Sequence, residues 1–148
     1  MDRLALVVAL AAAALVVAWL VQRRQQSDAP VRTGYRVPAQ LDRADFDRPD
    51  APWIVVVFTS ATCSTCAGVW EKAVHLGSDE VAVQEAEYGA RRDLHDRYRI
   101  DAVPTVLVAD AEGVVVRSFV GPVTATDLWA AVAQARAGED GPPDVCGG

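Results

Sequence analysis

The apolar run Trp53-Ile54-Val55-Val56-Val57-Phe58, followed a few residues later by Cys63-Ser64-Thr65-Cys66, constrains this chain more than any other feature. A run apolar at nearly every position suits a central strand covered on both faces of a sheet, because a strand with one wet face would alternate. Beyond it, Cys66, Val69, Trp70, Ala73 and Val74 recur at helical spacing, and Gly77 stands where a helix commonly stops. A thiol pair is thereby placed where a buried strand gives way to a helix. Three cysteines are too few for a disulfide framework, and two of them are spaced so that side chains on one helical turn meet. The pair reads as a dithiol/disulfide redox centre.

The roles of the two thiols follow from their places in the turn. Thr62 or Ser60 is positioned to cap the helix, which leaves Cys63 at its amino end among unpaired N–H groups. Those groups and the helix dipole favour a thiolate there, so Cys63 is the expected nucleophile. Cys66, one turn further in and more enclosed, is the expected resolving thiol, which attacks the mixed disulfide and releases the product.

The remaining pattern supplies the elements around this centre. Tyr35 to Leu41 predicts a first short strand and Asp42 to Asp47 a turn of helix. The core strand is Trp53 to Thr59. Val81 to Glu87 predicts a second strand, and Ala90 to Tyr98 a helix with Leu94 and Tyr98 turned inward. Thr105 to Asp110 and Val114 to Phe119 predict a strand pair around Ala111-Glu112-Gly113, which is a hairpin signal. A last helix is predicted from Thr126 to Arg136, with Leu128, Trp129, Val132 and Ala133 as its buried stripe. Strands alternating with helices, closed by a hairpin, make an α/β layer with a mixed sheet.

The amino end has a different composition. From Leu4 to Val21 there are eighteen consecutive apolar residues without a charge, enough at about 1.5 Å per residue to cross a bilayer core. A cleaved signal peptide is the rival, but its apolar region is usually shorter and ends at a small-x-small site, whereas this run closes with Ala18-Trp19-Leu20-Val21. Residues 1–21 are therefore expected to be an uncleaved single-pass anchor, with 22–34 a polar linker. Arg23, Arg24, Arg32 and Arg36 follow the segment and only Arg3 precedes it, so the positive-inside rule places the globular part in the cytoplasm, at the cell membrane.

Several function classes are disfavoured. A net charge of -6 and a pI near 4.8 argue against nucleic acid; Arg91, Arg92, Arg97 and Arg99 are interleaved with Asp93, Asp96 and Asp101 and read as a solvated helix face. His75 is out of helical phase with Cys66, so the two do not share a metal, and a zinc site would have only Cys146 left to draw on. No metal and no cofactor are expected. His95, in the charged helix, is expected to be exposed, while Trp53, Trp70 and Tyr98 read as core. The tail 138–148 has no pattern that could bury anything and is expected to be disordered. Its Cys146 is either an inert thiol or a tethered one that pairs with Cys63 or with another chain.

Taken together, the apolar strand, Cys63-Ser64-Thr65-Cys66 opening a helix, Val103-Pro104-Thr105, the hairpin, Gly121 and a terminal helix resemble the thioredoxin family over residues 35–137. That resemblance implies a three-layer thioredoxin-like fold and a thiol-disulfide oxidoreductase acting on protein disulfides and on an electron donor or acceptor, with the anchor favouring a partner at the membrane. It also implies a cis Val103–Pro104 bond facing the thiols and a substrate groove formed by Val103, Pro104, Thr105 and Thr62. Reductant, oxidant and isomerase are all compatible with the pattern, and the alternative from another class is a redox-silent module that holds an extended peptide beside Pro104. Two departures from the general reductases of the family stand out: Thr62 and Ser64-Thr65 replace the usual Trp and Gly-Pro, and Val57 replaces a buried Asp six positions before the first cysteine. The proton of Cys66 must then pass to another acceptor, water or Glu85 on the neighbouring strand.

Overall fold

The structure, a computed structural model, describes residues 35–138 and positions 12, 14, 16 and 17, which are helical and exposed. Apart from those four positions the expected anchor and linker lie outside the described residues, as does the tail after Gly138, Cys146 included. Among the described residues no helix is long and apolar enough to cross a membrane.

Strand β1 (Trp53–Thr59) leads into helix α1 (Cys66–Ala73), which a 3-10 turn at Val74–Leu76 extends to Gly77. Strand β2 (Val81–Glu87), helix α2 (Arg92–Tyr98), the hairpin strands β3 (Thr105–Ala109) and β4 (Val115–Val120), and helix α3 (Ala125–Ala137) follow. The strands form one mixed sheet in the order β2-β1-β3-β4, with β1 parallel to β2 and the other pairs antiparallel. A parallel pair needs a crossover rather than a tight turn, and α1 supplies it. Ile54 to Phe58 are each 0% exposed, so β1 is the covered central strand that its run of apolar residues predicts.

Alternation along the strands divides the core in two. Val55 and Val57, with Val81, Val106 and Val108, pack beneath Val69 and Ala73 of α1 and Leu128 and Val132 of α3. Ile54, Val56 and Phe58, with Ala82, Ala86 and Leu107, pack against Leu41, Phe46 and Leu94. The side covered by α1, which carries Cys66, and by α3 is the cysteine face. In the hairpin, Gly113 takes φ +83° and donates its N–H to Asp110 at 3.0 Å. A Cβ there would lie 2.0 Å from the Leu41 carbonyl oxygen, so the close approach of residue 41 requires glycine.

Four expectations are corrected. Tyr35 to Leu41 forms no strand; Gln40 bridges Val114, Leu41 N–H bonds Gly113 O at 2.7 Å and Val115 N–H bonds Ala39 O at 2.9 Å. Pro38 has no N–H to extend that ladder. On α3 the inward row is Leu128, Ala131, Val132 and Ala135, while Trp129, 53% exposed, and Ala133 face outward. The methyl groups of Ala131 and Ala135 let the helix close on the sheet, whereas an indole at that seam would hold it off. His95 is 4% exposed rather than solvated. It lies edge-on to Phe58 and Tyr88, and its Nε2 donates to the Ala86 carbonyl at 2.8 Å, which satisfies the ring's buried polar group. At the start of α1, too, the structure departs from expectation.

Candidate functional site

The site occupies the carboxyl end of β1 and the loop to α1. Cys63 and Cys66 are joined in a disulfide, with their Cα atoms 5.5 Å apart. Helix α1 begins at Cys66 itself, with Thr65 in the cap position and no side-chain capping bond. Neither Ser60 nor Thr62 caps the helix as expected: Ser60 Oγ accepts from Thr62 N–H at 3.4 Å and lies 3.1 Å from the Thr62 hydroxyl. The intervening residues form tight turns instead, in which Cys63 N–H bonds Ser60 O and Cys66 N–H bonds Cys63 O. A hydroxyl that closes its own short turn is lost to the helix that follows. Cys63 is half-buried and Cys66 is 3% exposed. Of the two, Cys63 is therefore the one open to a partner from outside, and Cys66 is reached through it. Thr65 Oγ1 lies 3.6 Å from Cys63 Sγ, and because a disulfide sulfur carries no proton, the hydroxyl is the donor.

At the end of β1 from which the cysteine loop departs, the two parallel strands bring a pair of carboxylates to the cysteine face. The register matches Val57 with Glu85 and Thr59 with Glu87, and Val81 and Val83, which share the alternation of Glu85, pack into the α1/α3 core. Thr59, 2% exposed, donates its hydroxyl to Glu85 Oε1 at 2.7 Å. Glu87 accepts N–H bonds from Ala61 at 3.1 Å and from Ala90 at 3.0 Å, tying the cysteine loop to the turn before α2. The backbone N–H groups of Gly89 first, then Ala90, hold the Glu87 carboxyl below its ordinary range. Sequence reasoning named Glu85 but missed Thr59 and Glu87. Their signal is the alternation of β2, where two charges replace valine on the face that should be apolar.

Residues 103–105 enter from the opposite strand. The Val103–Pro104 peptide is cis, and Thr105 pairs with Phe58, so antiparallel β3 sets Pro104 beside the end of β1 from which the cysteine loop departs. Pro104 is buried and its carbonyl accepts Gly121 N–H at 2.7 Å, while Gly121 holds φ +97°. Thr62 is exposed and Val103 half-buried. Thr105 is 3% exposed and donates its hydroxyl to Ala102 O at 2.8 Å, so it has the least side chain to offer a bound peptide. Lys72 of α1 donates to Val123 O at 3.1 Å, joining the helix to the segment after β4. Among the described residues no cluster of His, Cys, Asp and Glu is arranged to hold a metal ion.

Comparison with known proteins agrees with this geometry. The model of the family described as Thioredoxin matches residues 39–134, more than half of the chain. A thioredoxin-fold protein from Helicobacter pylori superposes with a TM-score of 0.53 at 12% identity, covering 67% of this chain and 85% of that one. A mutant thioredoxin from Halobacterium salinarum NRC-1 superposes with a TM-score of 0.51 at 21% identity, covering 59% of this chain and 76% of that one. No curated protein matches the chain.

Proposed function

Since the chain belongs to the thioredoxin family, we propose that it is a thiol-disulfide oxidoreductase whose working groups are Cys63 and Cys66. The observation that carries this is the disulfide itself, closed between half-buried Cys63 and Cys66, which is 3% exposed, at the junction of a central strand and a helix. In the reduced protein the Cys63 thiolate attacks a substrate disulfide, with the Thr65 hydroxyl as donor to the sulfur. Cys66 then attacks the Cys63 sulfur of the mixed disulfide, the Cys63–Cys66 bond forms, and the second substrate sulfur leaves reduced. The exposure difference supports this order, because a buried thiol is reached by the neighbouring sulfur more readily than by a protein substrate. Val103, Pro104 and Thr62 border the groove proposed to receive the substrate chain.

The substrates are protein disulfides, and the electron donor or acceptor sits at the membrane. Residues 4–21 are the proposed anchor and 22–34 the tether, which raises the concentration of the domain near membrane partners. The Arg excess after the anchor favours a cytoplasmic domain. The wild-type chain is expected to accelerate insulin reduction by dithiothreitol, and Cys63→Ser to abolish it. Cys66→Ser is expected to accumulate mixed disulfides whose membrane members disappear when residues 1–21 are deleted. Absence of any insulin reduction would leave the redox-silent peptide-binding module as the reading.

A further inference from the structure

The family's usual carboxylate is absent from β1, where Val57 is 0% exposed, yet resolution by Cys66 still requires its proton to go somewhere. The partner of Val57 in the parallel register is Glu85, half-buried on the cysteine face. We infer that Glu85, oriented by the buried Thr59 hydroxyl, accepts the proton of Cys66, so that the carboxylate serving the resolving thiol stands on β2 instead of β1. This rests on the oxidoreductase function proposed above.

The chemistry balances without a further reagent. As the Cys66 S–H bond breaks, the proton passes to Glu85 and the sulfur's electron pair forms the Cys63–Cys66 bond. The bond between Cys63 and the substrate sulfur breaks, and the substrate sulfur leaves as a thiolate and takes a proton from solvent; over attack and resolution together the dithiol is oxidised and the substrate disulfide reduced by two electrons. Thr59 donates to one oxygen of Glu85, and an ionised carboxylate retains further lone pairs for the incoming proton. The neighbouring charged groups have other partners. Glu87 is held by Ala61 and Ala90; Lys72 of α1 donates to Val123 O; the Asp127 carboxylate of α3 accepts from the Thr124 hydroxyl and Arg136 pairs with Glu80; and Glu71 of α1 is exposed.

The test uses the full-length chain with Cys146→Ser, reduced and mixed with one equivalent of 5,5′-dithiobis(2-nitrobenzoate). The first release of nitrothiobenzoate reports attack by Cys63, and the second reports resolution by Cys66. Wild type is expected to show a second phase nearly flat between about pH 6 and 8. With Glu85→Gln, whose amide oxygen still accepts from Thr59, that phase should slow by about a hundredfold at pH 7. It should also rise about tenfold per pH unit toward the ordinary thiol range near 8.5, with the first phase unchanged. Val57→Asp added to Glu85→Gln should restore the flat profile, since the two positions are paired on one face. Superimposable second-phase profiles for wild type and Glu85→Gln, or equal slowing of both phases, would overturn the inference. If wild type fails to reduce insulin while Glu85→Gln still bends the second-phase profile, the proposed function falls and the assignment of Glu85 stands.

Discussion

On the cysteine face the sheet is covered by aliphatic side chains of α1 and α3, and Thr59, Glu85 and Glu87 gather at the end of the strands from which the cysteine loop departs. On the opposite face Phe46, Phe58, His95 and Tyr98 stack edge to face or in parallel, and polar bonds run through the packing. Arg97 pairs with Asp42 and Asp45 at 3.0 Å each, and the Tyr98 hydroxyl donates to Asp45 while accepting from Asp42 N–H. Arg43, 7% exposed, donates to the carbonyls of Asp110, Ala51 and Arg48. The difference follows from what covers each face. Two helices that satisfy their own backbone can cover a sheet with methyl groups. Residues 39–51 contain only a 3-10 turn, so side chains must satisfy the backbone there. The reactive face is thus left with few groups that compete for the protons of the thiols.

The largest expected effects test whether the two faces are separable. Leu128→Ala on the cysteine face and Leu94→Ala on the other should each cost about 2–5 kcal/mol in urea denaturation, because each residue is at most 1% exposed. The double variant should lose the sum to within about 0.5 kcal/mol, as sites without shared partners add. Only Leu128→Ala should also change the alkylation rate of reduced Cys63; an equal change with Leu94→Ala would break the separation.

A smaller loss is expected from Arg43→Ala, about 1–3 kcal/mol by thermal or urea unfolding, since it strands the buried Ala51 carbonyl and two part-buried ones. Burial pushes the Arg43 guanidinium down from its ordinary value, while Asp110, Asp50 and Glu112 push it back up. No change in the rate of thiol exchange should accompany the loss.

The smallest effect sharpens the comparison through pH. Burial first, then the bond to Asp45, pushes the Tyr98 hydroxyl up from 10.0 to about 12. The folded state therefore favours the neutral phenol. Its contribution is present in full below the unfolded value and is lost as pH rises through about 12. Tyr98→Phe should cost about 0.5–1.5 kcal/mol at neutral pH. Between pH 10 and 12 the gap between wild type and variant in urea midpoints should narrow; a constant gap would show that the phenol does not titrate with folding.

Much of this was legible in the residues. Strands β1 and β2 have the predicted bounds, and the hairpin, Gly113 and α1 beyond its first residue fall where spacing and turn chemistry put them, while the start of α1 does not. These features depend on neighbours a few positions away. Trp129 was misplaced because it lies beside the true inward row of its helix, and hydropathy cannot choose between adjacent rows when one is lined by alanine and the other by an aromatic ring. His95 was misplaced because the charges around it in sequence hide that it belongs to the inward row, where Phe58 and Tyr88 enclose the ring and the Ala86 carbonyl accepts its proton. The absent first strand turned on Pro38 and on where residues 39–41 cross the hairpin.

By itself the sequence determined that a buried strand delivers two thiols to the start of a helix, because apolar runs and three-residue spacing act locally on the chain. Only the tertiary structure decided which thiol is exposed, how the turn before the helix is closed, and which carboxylates stand at the strand end from which it departs. Those depend on the register between β1 and β2, strands joined through a helix, and on the packing that turns one side of each toward the cysteines.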